Sequence, residues 1–218
     1  MVGGSNMFIK CISVGKLETN CYILCDTVQG KAAVIDPGYD AKRIIAGLSE
    51  AQCKAEYVIL THGHFDHIGA VLQVLEETGA KLACYEEEIE LLNDPNKNLS
   101  ALYMPGTLLP LKPDVLLCDG DSLHIGMLEL KVLHTPGHTK GSCCIICQDT
   151  IFTGDTLFCC GAGRTDFPGG DFNALSASMK RLQALTGDYQ LLPGHGAFST
   201  LSQERQTNPL MNNDDLFE

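Results

Sequence analysis

The stretch Thr61-His62-Gly63-His64-Phe65-Asp66-His67 sets three imidazoles and a carboxylate within six consecutive positions, between two strongly apolar segments. Imidazole nitrogen and carboxylate oxygen both suit zinc or a neighbouring first-row ion, and a loop leaving a strand can aim alternate side chains at one point. A solvated polar loop would gather four such donors at a strand end only by chance. The stretch therefore reads as a metal loop, and its neighbours read as the frame. Glu56 to Leu60 forms a strand that delivers it, and Ile68, Val71, Leu72 and Leu75 form a helical stripe that stops at Gly79.

Outward from this loop, the same device recurs at other strand ends. The β-like segments Phe8 to Val14, Asn20 to Cys25 and Lys31 to Ile35 are joined by short turns, and the third runs into Asp36-Pro37-Gly38. Asp36 could be a plain turn residue; a role holding the metal loop by hydrogen bonds is preferred. Ile44, Ile45 and Leu48 then share one face of a helix from Ala41 to Ala51, with Asp40 as its expected cap. Lys81 to Tyr85 reads as a short strand, Glu86 to Leu92 as a short acidic helix, and Asn93 to Pro113 as a proline-punctuated excursion that borders the substrate. The β pattern restarts with Ser122 to Ile125 and Leu128 to Leu133 and reaches Pro136-Gly137-His138. Strands from Ser142 to Cys147 and Thr150 to Phe152 end at Gly154-Asp155. A helix from Phe172 to Leu185 precedes the strand Tyr189 to Leu192, which ends in Pro193-Gly194-His195-Gly196, and a short helix near Leu201 to Gln206 closes the pattern. Strands followed by helix occur twice, which predicts two similar halves packed sheet on sheet with helices outside.

Composition limits what such a site serves. A chain of 218 residues with a hydrophobic fraction of 44% is expected to form one compact domain over residues 1–218. A net charge of −12, with no basic run, argues against nucleic acid or an anionic membrane as partner. No segment reaches about 18 apolar residues and the first ten carry no export pattern, so a cytoplasmic protein is expected. Eleven cysteines, an odd number, fit reduced thiols rather than a disulfide framework. Cys144 and Cys147 have the spacing of a redox or zinc pair but lie in an apolar run that reads as a buried strand. Cys159-Cys160 follows a ligand motif and is read as structural. His124 and His134 are placed outside the ligand set, and the acceptor pattern at Asn98 matters only in an exported chain.

With His62, His64, Asp66, His67, His138, Asp155 and His195 in hand, the chain resembles the metallo-β-lactamase superfamily, whose signature is His-x-His-x-Asp-His followed by distal His, Asp and His. The resemblance implies an α+β fold, a four-layer αββα sandwich with a metal site at one edge. It is strongest toward the glyoxalase II-like, or hydroxyacylglutathione hydrolase, group in its short bacterial forms, carried by Ile35-Asp36-Pro37-Gly38, Thr135-Pro136-Gly137-His138-Thr139, Gly154-Asp155-Thr156-Leu157-Phe158 and Gly163-Arg164-Thr165-Asp166-Phe167-Pro168. By that resemblance His62, His64 and His138 hold one divalent ion, Asp66, His67 and His195 hold a second, and Asp155 bridges them. The ions are expected to be zinc, with iron or manganese as alternatives. A hydroxide bridging them would attack a small thioester, with Asp66 orienting it.

The larger glyoxalase II enzymes carry a helical carboxyl-terminal domain that helps grip glutathione, and a lysine and a tyrosine in the loop after the bridging aspartate. Here only some twenty residues follow the last motif, and Arg164 and Asp166 take the loop positions. Arg164 is expected either to bind a substrate carboxylate or to pin its loop to an acid. The resemblance also admits a mononuclear iron persulfide dioxygenase, whose family shares Gly-Arg-Thr-Asp-Phe, and a noncatalytic sandwich, which usually has lost ligands.

Overall fold

In the computed structural model, which describes residues 6–212, two six-stranded sheets pack face to face with helices on both outer surfaces. The first sheet runs β1 (Met7–Val14), β2 (Thr19–Asp26), β3 (Lys31–Ile35), β4 (Lys54–Ile59), β5 (Lys81–Tyr85) and β6 (Val115–Leu117) in spatial order. β1 to β3 form an antiparallel meander, while β3 to β6 are parallel. The parallel connections carry α1 (Ala41–Glu50), α2 (Phe65–Ile68), α3 (Val71–Thr78), α4 (Ile89–Asn93) and α5 (Ser100–Tyr103). The second sheet contains β7 (Ser122–Ile125), β8 (Leu128–His134), β9 (Cys143–Cys147) and β10 (Thr150–Gly154) as an antiparallel meander. A small hairpin, β11 (Leu157–Phe158) and β12 (Gly161–Ala162), and then α6 (Phe172–Gln183) lead to β13 (Gln190–Pro193), which pairs parallel to β10. β14 (Ser199–Thr200), α7 (Leu201–Thr207) and α8 (Pro209–Asn212) follow.

Alternation along each strand decides which core a residue joins. Tyr22, Leu24, Ala33, Ile35 and Ile59 of the first sheet meet Ile125, Leu130, Val132, Ile145 and Phe152 of the second in the central layer. Their strand neighbours Cys21, Ile23, Val34 and Val58 face outward onto Ile44 and Leu48 of α1 and Val71 and Val74 of α3. On the other side, Cys144, Ile151 and Leu191 pack against Leu175, Met179 and Leu182 of α6 and Leu201 of α7. The result is the four-layer αββα arrangement expected from the twice-repeated pattern.

Two local expectations change, and one strand was not foreseen. The helical stripe that starts at Ile68 is two helices, broken at Gly69 and Ala70, where Ala70 N donates to Pro37 O at 2.9 Å instead of continuing the helix. Asp40 stands before α1 but does not cap it: its backbone is left-handed (φ 55°), and its carboxylate accepts from Gly15 N at 3.2 Å. The three-residue β6 is too short to show a period, so it does not stand out in the sequence. Gly79 does close α3 in the left-handed conformation.

Candidate metal centre

Every ligand-type residue named from the sequence arrives at the same edge of the sandwich. His62, His64, Asp66 and His67 follow β4, His138 follows β8, Asp155 follows β10 and His195 follows β13. The two sheets are stitched together here by main-chain and side-chain bonds: Cys143 N donates to Thr61 O, Asn20 N to Gly194 O, and the buried Tyr22 hydroxyl to Pro193 O at 2.6 Å. The approach is close enough to demand glycine. A Cβ at Gly38 would lie 1.5 Å from Asp66 O, and one at Gly194 would lie 2.2 Å from Asp155 Oδ1.

Two buried carboxylates brace the ligand loops. Asp36 sits in the left-handed region (φ 50°) at the end of β3 and accepts from Thr61 N at 2.8 Å, Thr61 Oγ1 at 2.6 Å and His67 Nδ1 at 3.0 Å. It holds the loop by hydrogen bonds, as preferred over a plain turn role. Glu88 is the brace that sequence reasoning missed. It accepts from Gly63 N at 2.8 Å on one oxygen, and from Thr139 Oγ1 at 2.6 Å and Gly141 N at 2.8 Å on the other, tying the His62–His67 loop to the His138 loop. Burial pushes its carboxyl above the ordinary range, against the pull of those three donors. Glu86, Glu87 and Glu88 are identical in the sequence, and only the last is buried. No local signal separates them.

The donors form two facing groups. Ligand atoms of His62, His64 and His138 lie within 4.8 Å of one another, and so do those of Asp66, His67 and His195. Asp155 stands between them, with Oδ1 3.4 Å from His67 Nε2, and Oδ2 3.6 Å from His138 Nε2 and 3.7 Å from His195 Nε2. Backbone and carboxylate acceptors orient the rings. His138 Nδ1 donates to Arg164 O (2.8 Å), His195 Nδ1 to Leu17 O (3.1 Å) and His67 Nδ1 to Asp36, which leaves each Nε2 lone pair turned inward. Thr61 Oγ1 donates to Asp36 and so can accept from His62 Nδ1 at 3.2 Å, again leaving Nε2 bare.

These inward atoms fit a cation. His62 Nε2 and Asp155 Oδ1 are buried with no hydrogen-bond partner, and His64 turns Nδ1 toward His138 Nε2, 2.9 Å away, a costly gathering of lone pairs unless an ion satisfies them. Burial and the neighbouring imidazoles hold His62 well below its ordinary pKa, and burial with His138 pushes His64 down to about 3, so both rings keep their lone pairs. Burial opposes charge on His67 as well, but Asp155, Asp66 and Asp36 outweigh it and push that ring up to about 10. Asp66 is held below the usual carboxylate range: burial opposes ionisation, and His67 and His195 overcome it. The carboxylates that favour a proton on His67 equally favour a divalent cation beside it.

The remaining chemistry-bearing residues fall elsewhere. His124 is exposed on β7 opposite Glu129. His134 stacks on Tyr85 with ring centroids 4.1 Å apart and bonds Lys140 O, outside both donor groups. Cys144 and Cys147 lie on opposite faces of β9, one in the outer core and one between the sheets, so they share no ligand. Asn98 is buried, and its amide is bonded within its own turn.

Over the donor groups lies a cleft of about 480 Å³, walled by Leu17, Phe158, Phe167 and the stacked pair Phe65 and Tyr103, so the Asn93 to Pro113 excursion does reach its rim. Arg164 also lines it. Its guanidinium is bidentate to Asp166 at 2.6 Å and sits 4.0 Å over the Phe167 ring, while its carbonyl orients His138.

The profile of the metallo-beta-lactamase superfamily matches residues 14–195. Hydroxyacylglutathione hydrolase GloC of Haemophilus influenzae is 34% identical, covering 94% of this chain and 99% of its own. Among solved structures, the BLEG-1 B3 metallo-beta-lactamase superposes with a TM-score of 0.88 at 36% identity, over 94% of this chain and 100% of that one. TTHA1623 in a di-iron-bound form gives 0.81 at 32% identity, over 92% and 98%.

Proposed function

The chain belongs to the metallo-beta-lactamase superfamily and is a metal-dependent hydrolase of that fold, and from this premise we propose that it is a binuclear hydrolase of a small thioester, of the hydroxyacylglutathione hydrolase type. S-lactoylglutathione or a related 2-hydroxyacyl thioester is the substrate class, with glutathione (or another thiol) and lactate (or another 2-hydroxy acid) as products. The observation that carries the reading is the pair of facing donor groups with Asp155 between them. The likeness to GloC over nearly the full length of both chains supports the substrate class.

These residues would hold two divalent ions, zinc by first expectation, which when bound would supply a water of lowered pKa and polarisation of the substrate carbonyl. His62, His64 and His138 supply neutral nitrogens on one side, and Asp66, His67 and His195 supply a mixed set on the other. Asp66 is kept ionised and bonded to Thr19 Oγ1 at 3.2 Å, and its carboxylate orients the attacking water. Asp36 and Glu88 hold the loops at the spacing the donors need. Phe65, Tyr103, Phe158 and Phe167 supply apolar walls that exclude water from the acyl group. The leaving thiolate comes from a weak acid of pKa about 8.5 and needs little help from a general acid.

Arg164 could meet a carboxylate of the carrier only by exchanging Asp166 for it. With that charge already paired, the carrier thiol contributes little binding energy. The test compares kcat/KM for S-lactoylglutathione with that for a truncated thiol bearing the same acyl group. A loss of about tenfold, roughly 1.4 kcal/mol, is expected. A thousandfold loss would mean a dedicated glutathione pocket. No hydrolysis of either thioester, with oxygen uptake on a persulfide, would move the assignment to a mononuclear iron dioxygenase of the same fold, and turnover of a β-lactam alone would move it to a lactamase.

A further inference from the structure

Among the described residues, one other group of soft donors converges outside the seven-donor centre. Cys159 and Cys160 form the two-residue turn of the β11–β12 hairpin, whose pairs are Leu157 with Ala162 and Phe158 with Gly161. Their sulfurs lie within 4.8 Å of each other and of a carboxylate oxygen of Glu204 on α7. Glu204 is fully buried. Its Oε2 accepts from Cys160 N and from Asn208 Nδ2, both at 2.8 Å, which accounts for one oxygen as a clamp on the hairpin. Oε1 is buried with no hydrogen-bond partner. A helix clamp needs only Oε2, so the second oxygen is unexplained by structure alone, and leaving a buried acceptor bare is costly.

We infer that Cys159, Cys160 and Glu204 form a second cation site, thiolate-rich and separate from the catalytic donors, that takes a soft divalent ion such as Zn2+ or Cd2+. Two sulfurs and one carboxylate oxygen suit a d10 ion, with a fourth position open to water. Cys160 is exposed and Cys159 half-buried, so the ion enters from solvent while the carboxylate forms the floor. Binding converts two thiols to thiolates and releases their two protons, leaving the three anionic ligands and the ion with a net charge of −1. The consequence reaches the catalytic cleft through the hairpin. Phe158 and Ala162 line that cleft, and the Phe158 ring lies 6.3 Å from the His195 ring, so an ion at the turn staples one cleft wall to α7.

The seven-donor centre contains no sulfur, which makes the two sites spectroscopically distinct. Full-length protein, reduced and freed of metal, is titrated with Cd2+ and followed by thiolate-to-metal charge-transfer absorption in the ultraviolet. One equivalent of absorbing ion is expected. C159S/C160S should abolish the absorption, C118S should leave it intact, and E204Q should weaken Cd2+ binding by about tenfold or more. Should the double variant fold poorly, iodoacetamide labelling of the unaltered protein with peptide mapping serves instead: Cd2+ should protect Cys159 and Cys160 and leave Cys118 reactive. Absorption that survives in C159S/C160S, labelling of Cys159 and Cys160 unaffected by Cd2+, or the two thiols found oxidised to each other in freshly purified protein would overturn the inference.

Discussion

Replacing Glu88 by alanine is expected to destabilise the protein by about 3–5 kcal/mol and to weaken metal binding, although Glu88 touches none of the metal-type ligands. The carboxylate receives three hydrogen bonds, from Gly63 N, Gly141 N and Thr139 Oγ1. In the variant the Thr139 hydroxyl can turn to Ser142 Oγ, 2.7 Å away, but the two amides have no such alternative. Each orphaned buried donor costs about 1–3 kcal/mol, and the vacated side-chain volume adds to that. Relief of the buried charge, whose cost is visible in the upward shift of the Glu88 carboxyl, offsets part of the sum. For a chain of this length, 1 kcal/mol moves Tm by about 2–4 °C, so E88A should melt roughly 6–20 °C lower. E88Q is the control: its amide keeps one acceptor, leaves one donor facing its NH2 group and removes the buried charge, so it should cost only about 1 kcal/mol. The assay is thermal or urea unfolding of metal-free protein, followed by competition with a chelator to rank zinc affinity. E88A melting within about 2 °C of the parent, or E88Q proving as costly as E88A, would refute the brace.

Asp155→Ala should lose most bound metal and activity while His124→Ala keeps both, as elemental analysis and a thioester assay would show; equal effects would contradict the donor map. Tyr22→Phe should cost about 0.5–1.5 kcal/mol in urea unfolding, because the buried Pro193 carbonyl loses its 2.6 Å hydroxyl donor but keeps Asn20 Nδ2 at 3.0 Å. Asp36→Asn keeps the shape but disturbs the bonds to His67 Nδ1 and Thr61, so metal affinity should fall about 10–100-fold with a smaller loss of stability. Arg164→Ala should leave the melting temperature almost unchanged, since its ion pair with Asp166 is exposed; a large rise in KM for the glutathione thioester alone would reveal a carrier contact.

The donors at the site edge were legible because each strand that delivers one ends in a proline, a glycine or both, or in the dense His-x-His-x-Asp-His run, and such endings mark where a strand must stop and turn. The layering was legible for a related reason: residues alternate along β2 and β3 between two apolar surfaces, so both faces had to be covered. What depended on the third dimension was partnership across long sequence separations. Nothing in Glu86-Glu87-Glu88 says which carboxylate turns inward, because that is decided by how this turn and β5 pack against one loop 25 positions earlier and another 53 positions later. Cys144 and Cys147 look like a pair in the chain and are separated by a sheet, whereas Cys159 and Cys160, singled out for following a ligand motif and read as structural, gain their buried carboxylate partner only because α7 brings Glu204 beneath them from 44 positions on. Local pattern determines which residues end strands and which faces are apolar; only packing determines which of several equivalent polar side chains is buried, and burial is what turns an ordinary carboxylate into a brace or a ligand.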